Sequence, residues 1–244
     1  MSKAIPLEDD FNWWWYRSKK NYLRFILKKH LFKNNLNILE IGPGKGNNLN
    51  LLKEFGNVSV LEVEKEFVNY LLDTNALNKN AIFCSFDEIK NKNSYDLIVL
   101  LDVLEHIEDT NKFLYEINDL IKETGIVVFS VPAYNSLWSS HDEELHHVKR
   151  YNWKTVKSEV GQYFTIIEKY GMNYILLPVR YLQLKFTNPT TLNDTSKILN
   201  SILFFIASLE ALLLKIKINP KFGLSLYFVT KNKETKEIKS IGTN

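Results

Sequence analysis

Ile38-Leu39-Glu40-Ile41-Gly42-Pro43-Gly44-Lys45-Gly46-Asn47 decides the reading of this chain. An apolar strand runs into three glycines at alternate positions, and a helical pattern with Leu49, Leu51 and Leu52 follows. Glycines are needed there when the backbone must approach a ligand at the carboxyl end of a parallel strand. The spacing is G-x-G-x-G. The dinucleotide fingerprint G-x-G-x-x-G puts its third glycine at position 47, where Asn stands. A tight strand-to-helix turn without a ligand uses the same residues, so the stretch predicts a βα turn before it predicts a function.

The next elements narrow the choice. A second apolar strand, Val58-Ser59-Val60-Leu61, ends in Glu62. A carboxylate there can accept hydrogen bonds from a ribose 2′,3′-diol. The competing reading is a solvated strand end, because Glu64, Lys65 and Glu66 follow at once. A third strand, Tyr95 to Leu101, leads into Asp102-Val103-Leu104-Glu105-His106-Ile107-Glu108-Asp109.

LEIGPGKG, Glu62, the pair Phe86-Asp87 and YDLIVLLDVLEHIED together resemble the class I S-adenosylmethionine-dependent methyltransferases, in family order and at family distances. That resemblance spans about residues 36 to 131. The segment VPAYNSLWSSHDEELHHVKRY and the terminal NPKFGLSLYFVTKNK are similar to a bacterial, type 11/12-like subgroup. The resemblance implies S-adenosyl-L-methionine as cofactor and S-adenosylhomocysteine as product. It lays Gly42, Gly44 and Gly46 against the methionine and ribose portions. Glu40 orients the loop or meets the ammonium through water, and Glu62 binds the diol. Asp87 accepts from the adenine amino group with Phe86 beside the ring, while Leu101 and Asp102 close the pocket from the fourth strand. Helix N-capping is the competing role for Asp87 and Asp102. His106 is read as structural.

Bulk properties are those of a single α/β domain over residues 1–244. Of 244 residues, 45% are hydrophobic and 24% charged, as in ordinary globular chains. A net charge of +3 is too weak to argue for nucleic acid. One cysteine, Cys84, allows no intrachain disulfide, fits a cytoplasmic setting and reads as a small buried hydrophobe. The N-terminus carries no apolar signal-peptide core.

Residues 13–32 predict a helix with Arg17, Lys20, Arg24 and Lys28 on one side and Leu23, Ile26, Leu27 and Leu31 on the other. This helix, within residues 1–35, either packs on the sheet with its basic side in water or covers the cofactor pocket. Strands are expected near 36–41, 57–62, 80–84, 95–101 and 125–131, with Gly125 as the turn before the fifth. A helix at 152–160 starts at Asn152. Phe164–Glu168 and Leu224–Thr230 supply strands six and seven. The expected architecture is a Rossmann-like, seven-stranded, mostly parallel sheet. The resemblance implies an antiparallel last strand inserted between strands five and six. Residues 172–222 form a helical insertion, with helices near 179–187 and 195–217 and Asp194 or Thr195 as cap. The polar tail from Lys231 is expected to fray. The run Ile198 to Leu214 holds Glu210 and reads as a core or interfacial helix, not a span.

His141, Asp142, Glu143, His146, His147 and Arg150 crowd one segment after strand five. His141 is the first choice for a general base, since imidazole titrates near neutral pH. His147 is the second catalytic candidate; with Arg150 it binds an acidic acceptor group or holds the loop. A solvated charged loop is the bland alternative. HDEELH is not H-E-x-x-H, so no metal is expected. The predicted activity is O-methylation of a small-molecule or glycan- or lipid-linked acceptor in the cytoplasm, peripherally at the inner membrane. Two alternatives compete: a cofactor-binding or interaction protein without chemistry and, more remotely, a nicotinamide oxidoreductase.

Overall fold

A computed structural model describes residues 12–186 and 197–233. Seven strands form one sheet in the order β3-β2-β1-β4-β5-β7-β6. They are β1 (Leu36–Ile41), β2 (Gly56–Leu61), β3 (Ile82–Phe83), β4 (Tyr95–Leu101), β5 (Ile121–Pro132), β6 (Phe164–Met172) and β7 (Ser225–Asn232). The first five pair in parallel, and β7 runs antiparallel to both β5 and β6. This is the expected Rossmann-like sheet with its inserted last strand.

Apolar runs become strands here because both faces of the sheet are covered. On one face, Val127, Phe129 and Val131 of β5 join Leu114, Ile117 and Leu120 of α4 (Thr110–Leu120) and Val156 of α6 (Trp153–Glu159). On the other, Val128 of β5 joins Tyr22, Leu23, Ile26 and Leu27 of α1 (Trp14–His30) and Leu51 and Leu52 of α2 (Leu49–Leu52). Neighbouring residues of one strand thus serve opposite cores, as the two-residue pleat requires.

The remaining helices are α3 (Lys65–Asp73), α5 (Ser140–Glu144), α7 (Leu177–Phe186) and α8 (Lys197–Lys215). The Asn152 side chain accepts from the Lys154 and Thr155 N–H groups and starts α6 as expected. α7 and α8 occupy the connection between β6 and β7, and α8 packs on α1. The cap positions Asp194 and Thr195 and the tail beyond Lys233 lie outside the described residues, but Lys231 and Asn232, expected to fray, continue β7 instead, paired with β5 and β6.

Two further expectations fail. β5 starts at Ile121 rather than after Gly125, because α4 hands the chain straight into the strand; a register shift between Tyr95 and Leu97 absorbs the extra length. Cys84 is exposed, not buried, because β3 is a two-residue edge strand that ends just before it. Strand order reverses between β1 and β4. In a sheet of this kind that reversal opens a crevice outside the carboxyl ends of those strands.

Candidate functional site

The glycine loop lies at that crevice, and its three glycines have different tasks. All three adopt left-handed backbone: φ is +67° at Gly42, +54° at Gly44 and +79° at Gly46. A Cβ at Gly42 would stand 2.8 Å from Val103 Cγ2, and one at Gly46 would stand 2.6 Å from Leu49 Cδ1. Those two serve internal packing. A Cβ at Gly44 would meet nothing within 4 Å. Of the three, only Gly44 leaves open space against its backbone.

Glu62 bounds that space. Its carboxylate is buried and accepts the Gly44 N–H and the Glu64 N–H, each at 3.0 Å. Each oxygen keeps further acceptor capacity, which suits a pair of hydroxyls. The solvated-strand-end reading of Glu62 is overturned: burial raises its pKa, and the backbone donors only partly oppose this. Glu40, at the end of β1, accepts the Asn48 side-chain amide at 2.8 Å. Its other oxygen, Oε2, has no partner, nor has Oδ1 of Asn47 in the loop itself. Burial pushes the Glu40 carboxyl up to about 7, with the nearby Glu62 charge adding to it. Orphaned acceptors beside an open glycine cradle are what an ammonium-bearing, ribose-bearing ligand would satisfy.

At the exit of β4, Asp102 sits at φ +54°, rare for a non-glycine residue. It does not cap a helix; Asp109 does, accepting the Lys112 N–H at the start of α4. Asp102 instead accepts the Ser130 hydroxyl at 2.7 Å and forms an ion pair with Lys19 of α1. Lys19 is buried, which holds its ammonium below the ordinary lysine range. Leu101, the last residue of β4, is half-buried among the core on the α1 face. Phe86 packs edge-on to Phe113 of α4, with ring centroids 5.5 Å apart, and Asp87 beside it is exposed in a short turn that Ser85 precedes. So Asp87 does not cap a helix through its side chain either.

On the acceptor side, Asp142 is the hub. This fully buried carboxylate accepts from the Ser139 N–H at 2.9 Å, and from Arg150 Nε at 2.6 Å and Nη2 at 3.0 Å. His147 Nδ1 lies 2.9 Å from it. The guanidinium and the other donors hold the Asp142 carboxyl well below the usual range, against the opposing effect of burial. His147 and Arg150 therefore hold the loop, the second of the roles the sequence suggests for them, and the segment is no solvated charged loop. His141 differs: its Nδ1 is buried without a partner, and burial lowers its pKa.

The ligand atoms of Glu105, His106 and His147 lie within 4.8 Å of one another. Glu105 is fully buried, both its oxygens lack hydrogen-bond partners, and burial raises its pKa. The positive charges of Lys19 and Arg150 face it and partly oppose that rise.

Beyond this knot lies an apolar cavity of about 540 Å³. Tyr134, Ser136 and Leu137 after β5 form one wall, and Leu177, Pro178, Tyr181 and Leu182 of α7 the other. Arg180 of α7 donates to the Ser139 hydroxyl at 3.3 Å and ties the walls together. His141 is not itself among the lining residues. Tyr134 holds left-handed backbone, φ +58°, so Asp102 and Tyr134 are strained at the ends of β4 and β5 alike. Strain of this kind collects at ligand sites. The sequence reading missed Tyr134, Lys19 and Glu105 as site residues. Glu105 and Tyr134 stood in motifs already singled out; for Lys19, burial on α1 was the only signal.

A family model described as a methyltransferase domain matches residues 8–168. An enzyme named ubiquinone biosynthesis O-methyltransferase, from Rickettsia bellii, is 28% identical over 115 residues, covering 45% of this chain and 48% of that one. The chain thus spans about half the length of the curated relatives it matches. Among solved structures, Haemonchus contortus phosphoethanolamine N-methyltransferase 2, in complex with S-adenosyl-L-methionine, superposes with a TM-score of 0.57 at 19% identity, over 88% of this chain and 53% of that one. A Pyrococcus horikoshii protein gives 0.61 at 14% identity, over 95% and 97%. These two likenesses show the fold.

Proposed function

We propose that this chain, which belongs to the methyltransferase-domain family of class I S-adenosylmethionine-dependent enzymes, transfers a methyl group to an oxygen of a small apolar or lipid-linked acceptor. The observation that carries the reading is the open backbone at Gly44 with the buried Glu62 carboxylate hydrogen-bonded across it. Glu62 takes the ribose diol, and Glu40 and Asn47 offer their free acceptors to the polar end of the ligand. S-adenosylmethionine supplies an electrophilic methyl group on a sulfonium, and its leaving group departs neutral. The protein's work is therefore positioning, exclusion of water and, where the acceptor is a hydroxyl, removal of one proton.

Oxygen as the target is supported by the naming of the Rickettsia relatives. An apolar acceptor is supported by the cavity between Tyr134 and Leu182. His141 is the residue for the proton. Its buried, unpartnered Nδ1 and lowered pKa keep the imidazole neutral and able to accept at cytoplasmic pH. Asp142 and Arg150 position its loop. α1, through Lys19 on Asp102, serves as cover of the cofactor site, and α7 as cover of the acceptor cavity.

Calorimetry tests the reading. S-adenosylhomocysteine should bind with micromolar affinity, about 8 kcal/mol, and NADH should give no heat. Binding of NADH with none of S-adenosylhomocysteine would end the assignment. Turnover with labelled cofactor and a phenolic acceptor separates an enzyme from a binding protein that keeps the fold.

A further inference from the structure

The geometry points to the outer face of α8 as a docking surface for an anionic lipid bilayer. Ile198, Ile202, Phe205, Leu209, Leu212 and Ile216 are all exposed, Phe205 by 70%. At 100° per residue they fall within an arc of about 80°. The opposite side of the helix holds Ala207, Glu210 and Leu214, all buried. α7, whose preceding residues Tyr174 and Ile175 are bonded to Glu210 of α8, also exposes Val179, Leu182 and Phe186 at helical spacing. An apolar stripe of this length in water is unusual for a soluble chain and marks an interaction surface.

Charge selects the occupant. Between residues 177 and 222, Lys185, Lys197, Lys215, Lys217 and Lys221 are exposed. Among the described residues of that stretch the only acid is Glu210, and it is buried. A second copy on this face would set lysines near lysines across a two-fold axis, with no acid to pair with them. A bilayer with anionic headgroups takes both features at once. The stripe enters the acyl boundary while the lysines lie at headgroup level, and a lysine there favours binding by about 1 kcal/mol.

By length and composition α8, 19 residues, would also pass for a membrane span. Its inner face argues otherwise. Glu210 accepts from the Tyr22 hydroxyl and from the Tyr174 and Ile175 N–H groups, and Asn200 accepts the Trp14 N–H. These bonds fasten the helix to the body, so it lies on a membrane and does not cross one. The apolar cavity shares Tyr181 and Leu182 with the exposed side of α7. On the methyltransferase reading, an acceptor held in the bilayer reaches the cavity from that side. The docking itself does not depend on that reading.

The test is flotation of the full chain with vesicles of phosphatidylcholine alone and of phosphatidylcholine mixed with phosphatidylglycerol. The parent should float with the mixed vesicles and much less with the neutral ones. Phe205→Glu with Leu212→Glu should abolish flotation, and Lys197, Lys215 and Lys217→Gln together should weaken it by about a hundredfold. S-adenosylhomocysteine affinity, read by calorimetry, should stay unchanged in both variants. That readout separates a lost surface from a lost fold, and failure of docking from failure of the enzymatic reading. A parent that ignores anionic vesicles overturns the proposal. So does a parent dimer that Phe205→Glu dissociates, which would make the face a contact between copies of this chain.

Discussion

Replacing Gly44 by valine separates ligand contact from folding at the glycine loop. The new Cβ has no protein atom within 4 Å, so the side chain enters open space in the free protein. The remaining cost is the left-handed backbone at φ +54°, about 1–2 kcal/mol for a residue with a side chain. In a domain of this size that lowers Tm by about 2–8 °C. The branched side chain fills the space that Glu62 bounds, so S-adenosylhomocysteine should lose at least about a hundredfold in affinity, or some 2.8 kcal/mol. Gly46→Ala gives the opposite result. Its Cβ would stand 2.6 Å from Leu49 Cδ1 and 3.0 Å from Leu71 Cδ2, both on buried leucines. Overpacking adds about 1–3 kcal/mol to the strain, so Tm falls further while the surviving folded protein keeps much of its affinity. Thermal unfolding and calorimetry on both variants decide the matter. A Gly44→Val protein that binds like the parent would falsify the placement of the ligand against this loop.

The other expectations are brief. Glu62→Ala should weaken cofactor binding by about 1–3 kcal/mol, the cost of two hydroxyls left without an acceptor; equal affinity by calorimetry would place the ribose elsewhere. For Glu40 the folded pKa, about 7, lies above its ordinary 4.5, so its contribution to stability is full below pH 4.5 and is lost as pH rises through 7. Glu40→Gln in the cofactor-free protein should therefore match the parent at low pH and melt higher at pH 8; coincident melting curves at every pH would refute the assignment. Burial lowers the His141 pKa, so turnover on a hydroxyl acceptor should rise with pH and level off below histidine's ordinary 6.5. His141→Ala should lose about 10²–10⁴ in rate at unchanged cofactor affinity, and full activity would leave positioning alone as the mechanism.

The central strands were legible because parallel strands buried on both faces read as unbroken apolar runs. Tyr95 to Leu101 carries the same bounds in sequence and structure. β3 was legible only in place, near 80–84, and is shorter than expected, since at the edge of the sheet only Ile82 and Phe83 pair with β2. Glu40, Gly42, Gly44, Gly46 and Glu62 could be picked out because one βα unit and its neighbour hold them in a short window. What distinguishes Gly44 from its two companions is the arrangement of Val103, Leu49 and Leu71, and no window contains that. Lys19 was hidden for a related reason. Its partner Asp102 lies at the far end of another element, and a lysine on the buried side of a helix looks like any other. The histidine-rich segment showed its composition but not its wiring, in which Asp142 is the hub and His147 is fastened to it.

α8 reverses the usual order of a helix on a soluble protein, in which the charged residue faces water and the apolar stripe faces the core. Here Glu210, the only charge between Lys197 and Lys215, points inward, and the stripe points out. The inward acid is no accident of packing, because it accepts three protein donors, from Tyr22, Tyr174 and Ile175. Those bonds fix the rotation of the helix about its own axis. Rolling it by half a turn to hide the stripe would break all three and put Glu210 in contact with whatever now meets Phe205. The structure therefore holds the apolar face outward at the cost of exposing it to water. Tyr22 lies one helical turn from Lys19, whose ammonium meets Asp102. One face of α1 thus joins the exit of β4 to the helix that carries the exposed stripe. A stripe held outward by buried bonds is the arrangement that docking on a bilayer surface would use.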